Sequence, residues 1–218
     1  MRILYHVEVS TFSKRVRLAL AHKGLEVELR DCRGDERNLA EAKRLFALGT
    51  TPVLDDDGCI VGESNAIAHY LDVAYPGRPH LFPLDRSAAA EALAITTAVE
   101  FAMTTLVDVG TRYFALCADD SWREVCAERM GRAQDAIDFV AARATGRYLA
   151  GDAWSAADMW ALSATRWVHG MAPRAAEGKA TQHVLQMLTL GFQLPETLVA
   201  WAKQHESRDD VRHLYRNG

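Results

Sequence analysis

The run Thr51-Pro52-Val53-Leu54, followed shortly by Gly62-Glu63-Ser64-Asn65-Ala66-Ile67, constrains this chain more than any other stretch. Proline has no N–H and a fixed φ, so it suits the first residue or the edge of a strand and not its centre. Beyond it, Ile67, Tyr70, Leu71 and Ala74 recur at i, i+3, i+4 and i+7, the apolar face of a helix. Ser64 then falls at the N-cap or beside it, next to backbone N–H groups that no helical carbonyl takes up. A proline-led strand beside a helix N-terminus can clamp a small ligand that offers both a backbone and a carboxylate.

The pattern upstream completes an open sheet. Residues 2–7 read as a strand. Ser10 or Thr11 caps a helix that carries Val16, Ala19 and Leu20 and stops at Lys23-Gly24. Val27-Glu28-Leu29-Arg30 alternates as a second strand, and a polar helical segment follows over roughly 36–48. Strands near 52–55 and 59–62 are joined by the hairpin signal Asp55-Asp56-Asp57-Gly58. The order is βαβαββα.

After Tyr75-Pro76-Gly77-Arg78-Pro79 the pattern becomes wholly helical. Ala92, Ile95, Val99, Ala102, Leu106 and Val109 step by three and four, as do Cys126, Met130, Ala133, Ile137 and Val140. Ser155 and Asp158 stand at capping-box spacing with Trp154 at the staple position, and a last helix follows Pro195. The expected organisation is an α/β domain over 1–76, a linker over 77–84 and an all-α bundle over 85–218.

A net charge of −4 and a pI near 6.1 argue against a nucleic-acid partner. No run of about 18 apolar residues suggests a membrane span, and no signal-peptide pattern opens the chain, so a cytoplasmic protein is expected. Cys32, Cys59, Cys117 and Cys126 form no CxxC, and the eight histidines, His183 among them, are scattered. Free thiols and no metal are the expectation.

These motifs, in this order, resemble the cytosolic glutathione transferases over nearly the whole chain. Leu4-Tyr5 through Ser10 to Leu20 is similar to the family's first strand and active-site helix, and Thr51-Pro52-Val53-Leu54 to its cis-proline segment. Gly62 to Ile67 is similar to the γ-glutamyl site, and Gly151-Asp152 to Asp158 to the buried capping box of the helical domain. The resemblance implies a thioredoxin-like domain joined to a helical bundle and glutathione as co-substrate. It also implies a detoxifying homodimer, with the first domain of one subunit against the long helices of the other.

It further implies roles for single residues. Backbone groups near Thr51, Pro52 and Val53 would pair with the cysteinyl part of glutathione as an added strand does. Ser64 and the helix N-terminus would take its carboxylate, and Glu63 its ammonium. The serine-type families place a hydroxyl where Ser10 stands. Such a donor favours the thiolate of a thiol whose ordinary pKa is about 8.5. Ser13 is the alternative donor, Arg15 would add positive potential, and Tyr5 matches the tyrosine-type position less well. Val9, Phe12, Met103, Thr104 and Val107 would line an apolar pocket for the second substrate.

The segment 46–51 departs from the family pattern. Thr50 stands where a long polar side chain would meet the glycyl carboxylate, which leaves Arg33, Arg37, Lys43 or Arg44 as substitutes. Three functions are compatible with the residues: addition of the glutathione thiolate to a small hydrophobic electrophile, a zeta-like glutathione-dependent isomerisation, or a non-catalytic binding or regulatory role.

Overall fold

A computed structural model describes residues 1–109, 122–176 and 190–215; Cys117 and His183 lie outside them. The chain runs β1 (Arg2–His6), α1 (Thr11–His22), β2 (Glu28–Asp31), α2 (Glu36–Leu45), β3 (Val53–Asp56), β4 (Cys59–Gly62) and α3 (Ser64–Ala74). It continues through α4 (Arg86–Asp108), α5 (Trp122–Ala141), α6 (Ala156–Ala176), α7 (Glu196–His205) and α8 (Asp209–Tyr215). The βαβαββα order expected from the sequence is observed, with strand ends displaced by a residue.

The strands form one sheet in the order β2-β1-β3-β4, parallel between β1 and β2 and antiparallel elsewhere. The β3–β4 hairpin turns through Asp57 and Gly58, both at positive φ (55° and 90°), as a short turn matched to strand twist requires. Strand alternation divides the core. Ile3, Tyr5 and Val53 face α2 with Ala42, whereas Leu4 and Leu54 join the larger core shared with α1, α3 and the helical half.

In that half, α4 packs along α5 and α6, and α1 packs on α6. All six residues of the expected α4 stripe, and all five of the α5 stripe, are buried. By length and composition α4 could cross a membrane, and the stripe that makes it apolar is core here. Of the four cysteines, Cys32 and Cys59 are free thiols, and Cys126 is buried in the core.

The joint between the halves is hydrogen-bonded. The buried Lys23 ammonium lies 2.7 Å from Asp72 and donates to the Pro79 carbonyl at 3.0 Å. The Asp72 carboxylate also accepts the Leu81 and Phe82 amides at 2.9 Å. Ala156 N–H, at the start of α6, donates to the Leu81 carbonyl at 2.7 Å.

Candidate functional site

Three helix starts were marked in the sequence, at Ser10, at Glu63-Ser64 and at Ser155, and the structure finishes each differently. Ser10 is the N-cap of α1. Its hydroxyl oxygen accepts from the Ser13 N–H at 3.4 Å, and its own N–H donates to the Val7 carbonyl at 3.0 Å, which folds the loop between β1 and α1 into a tight turn. Capping uses a lone pair only. The O–H of this half-buried serine keeps its proton to donate elsewhere, so capping and thiol activation are compatible roles.

Ser13 does not share that surface. It is fully buried, and its hydroxyl oxygen accepts the Val7 N–H at 3.1 Å. Helical spacing put the two serines one turn apart, but the returning loop covers the second. Ser13 braces the turn that presents Ser10.

Arg15 also departs from its expected place. It is fully buried, forms an ion pair with Glu100 of α4 at 2.5 Å, and lies over the rings of Phe12 and Trp160 at 4.5 and 5.3 Å. Its charge is met by Glu100, and it joins α1 to α4 and α6 rather than adding potential at Ser10. Tyr5 points to the α2 side, where its hydroxyl accepts from Arg30 at 3.0 Å. That removes it from the Ser10 side of the sheet.

The Thr51-Pro52 bond is cis, as the family resemblance implied. Val53 is buried in a strand flanked by Tyr5 on one side and Gly62 on the other. Thr51 is half-buried and stands just outside the last paired residue. An added ligand backbone therefore has Thr51 to meet, and Val53 serves the sheet.

At α3 the cap is Glu63, not Ser64. Glu63 has φ 67° and ψ 128° and makes no side-chain cap bond. A non-glycine residue held at positive φ carries strain of about 1–3 kcal/mol, and such residues gather at functional sites. Its carboxylate accepts from the Thr50 hydroxyl at 2.6 Å. Ser64 is the first helical residue; its hydroxyl oxygen is buried with no hydrogen-bond partner among the described residues. A buried unpaired hydroxyl costs about 1–3 kcal/mol. No local spacing signals the Thr50–Glu63 bond, which joins residues 13 positions apart across the hairpin.

The loop before Thr51 is fixed from both sides. A Cβ on Gly62 would lie 2.3 Å from the Phe46 ring, so the ring rests directly on the glycine backbone. Gly49, at φ 65°, has the Lys43 stem 3.6 Å from where its Cβ would be. That brings one cation of the four considered to this loop, whereas Arg44 is bound to Glu41 on both carboxylate oxygens at 2.8 and 2.9 Å.

The residues expected around the second substrate differ in exposure, and one of them is not at the surface. Val9 and Thr104 are exposed, Phe12 and Val107 half-buried, and Met103 lies in the core at 1% exposure. Met103 is thus a packing residue, placed there by the α4 stripe that also buries Val99 and Ala102.

The start of α6 is closed. Asp158 accepts from the Leu149 N–H at 2.8 Å, the Ser155 N–H at 2.9 Å and the Ser155 hydroxyl at 3.0 Å. Burial pushes its carboxyl up to about 6, against the opposing pull of those donors.

A family model described as the glutathione S-transferase N-terminal domain matches residues 4–79. The probable glutathione S-transferase GSTU1 of Oryza sativa subsp. japonica is 37% identical over 123 residues, 52% of this chain and 51% of that protein. The match thus spans about half the rice protein. The maleylacetoacetate isomerase of Dictyostelium discoideum is 27% identical over 208 residues, covering 89% of this chain and 93% of its own length. A solved glutathione S-transferase of Methylobacterium radiotolerans, in complex with glutathione sulfonate, superposes with a TM-score of 0.75 at 20% identity, over 97% of this chain and 93% of that one.

Proposed function

We propose that this chain is a member of the glutathione transferase family that binds glutathione across Thr51 and the start of α3 and uses Ser10 to hold its sulfur as a thiolate. The observation that carries the reading is the open start of α3. A strained Glu63, oriented by Thr50, stands beside a buried Ser64 hydroxyl that has no partner among the described residues. A ligand carboxylate there would accept from Ser64 and from the first free N–H groups of α3. The ligand ammonium would face Glu63, whose carboxylate has lone pairs beyond the one Thr50 occupies. Thr51 would pair with the cysteinyl backbone. At the other end, Ser10 would donate to the sulfur beside the N-terminus of α1, and both influences favour the thiolate.

The thiolate so held would add to a small hydrophobic electrophile reached past Val9, Phe12, Thr104 and Val107. Isomerisation is the second reading, supported by the maleylacetoacetate isomerase relative, whose match runs almost end to end. In that chemistry the same thiolate adds to a conjugated double bond and leaves again after rotation, so both readings place the same demand on Ser10. A homodimer is part of the proposal. Leu48 before β3, Leu93 and Phe101 on α4 and Val125 on α5 are exposed apolar residues suited to a second subunit.

Calorimetric titration with reduced glutathione tests the site. The wild-type protein is expected to bind saturably, and Glu63→Ala to lose about tenfold or more in affinity, the scale of one charge-assisted bond. No heat from the wild-type protein at millimolar glutathione would leave the non-catalytic role as the surviving reading.

A further inference from the structure

A cavity of about 540 Å3 lies at the opposite end of α1 from Ser10. The helix itself separates the two places by about 18 Å, at 1.5 Å per residue from Ser10 to His22. The linker, the start of α4 and the turn before α6 enclose it, with walls from Pro79, Phe82, Leu84, Ala88, Ala153 and Trp154. These walls are almost wholly apolar, and the volume is within the range of pockets that hold a drug-sized molecule. They are also held in place. Phe82 stacks on His69 with centroids 4.3 Å apart and planes within 3°, its amide is bound by Asp72, and Trp154 lies under the Arg208 guanidinium at 4.2 Å.

The polar groups at this cavity select among apolar ligands. Burial lowers the His22 pKa, and the nearby Arg208 and Lys23 charges act in the same direction against the smaller pull of Asp210, so the imidazole is neutral at physiological pH. His22 lines the cavity, and a neutral imidazole offers one ring nitrogen as an acceptor. The mouth carries two exposed carboxylates, Asp85 and Asp152. Asp85 already caps α4 through the Ser87 and Ala88 amides, whereas Asp152 faces solvent. Both repel an organic anion.

We propose that this cavity is a second binding site, separate from the Ser10–Glu63 site, for an uncharged aromatic molecule with one O–H or N–H donor, a phenol or an arylamine. The aromatic body fills the space between Phe82, Pro79 and Trp154, and the donor meets the His22 nitrogen. Anionic glutathione conjugates are excluded by the carboxylates at the mouth.

The test is a fluorescence titration with N-phenyl-1-naphthylamine, an uncharged arylamine that brightens in apolar surroundings. It is run with and without saturating S-hexylglutathione, which fills the other site and the apolar space beside it. Wild-type protein is expected to keep a binding phase in the presence of S-hexylglutathione. Ala153→Trp, which fills the cavity from an exposed position, should weaken that phase at least tenfold. Leu84→Asp, at a side chain 80% exposed and hence harmless to folding, should do the same by adding a charge at the mouth. Both variants should bind glutathione as the wild type does. Complete displacement by S-hexylglutathione, or unchanged binding in both variants, would overturn the proposal. Should S-hexylglutathione itself fail to bind, the glutathione reading fails, and the two variants still decide this one.

Discussion

The helices α3 and α6 begin with similar sequences, Gly-Glu-Ser-Asn and Trp-Ser-Ala-Ala-Asp, yet one start is open and the other closed. At α6 every lone pair in use on Asp158 faces a donor of the same chain, and the group is sealed in the core. At α3 the cap residue makes no side-chain cap bond, its backbone is strained, and the adjacent hydroxyl is buried without a partner among the described residues. A closed start contributes stability and nothing more. An open start forgoes stability and keeps donors in a fixed arrangement for something that is not part of the chain.

The sharpest way to break this contrast is at the closed end. Asp158→Ala strands the Leu149 and Ser155 donors inside the core, and a loss of about 3–4 kcal/mol in unfolding free energy is expected. Chemical denaturation measures it, and a loss under 1 kcal/mol would show that the box is not a stability element.

Next in size is Ser10→Ala. Removing one preorganised donor should lower kcat/KM about 100-fold in a conjugation assay, while the loss of the cap lowers stability by only about 1 kcal/mol. A fall in activity no larger than the stability change implies would reduce Ser10 to a cap.

Acidity separates the two starts further. Asp158, held near 6 against an ordinary 3.8, keeps its proton in the folded chain where the unfolded chain has lost it. Its contribution is therefore full below about pH 4 and is lost as the pH rises through about 6. Relative to Asp158→Asn, wild-type unfolding free energy should fall by about 2 kcal/mol between those limits, and parallel pH profiles of the two proteins would contradict the assignment.

The smallest effect has the most telling sign. Ser64→Ala removes a buried hydroxyl that has no partner among the described residues, so stability should stay level or rise by up to about 1 kcal/mol, while glutathione affinity falls. A variant that lost both together would place Ser64 with the closed starts.

Much of this could be read from the chain, for reasons that are local. The apolar stripes of α4 and α5, the Asp57-Gly58 turn and the Ser155–Asp158 box each depend on residues a few positions apart, so periodicity and spacing carry them. The errors arose where a partner is remote. In the sequence Arg15 reads as positive potential for the site because the partner that meets its charge, Glu100, is 85 positions away. Ser13 reads as an alternative donor one turn from Ser10 because nothing in helical spacing shows that the loop at Val7 returns over it. Met103 was put in a pocket because an apolar residue on a long helix has the same pattern in a core as in a cleft. Thr50 and Glu63 meet only because a hairpin returns the chain.

The clasp at Asp72 has a mechanical consequence. A linker that held its ends loosely would act as a hinge and absorb a change in angle through free φ and ψ rotations. Here three amide and ammonium groups converge on one carboxylate, and the Leu81 carbonyl is tied to the first residue of α6. The joint works as a strut. A guest that shifted α3 would carry Asp72 with it and load its bonds to Lys23, Leu81 and Phe82.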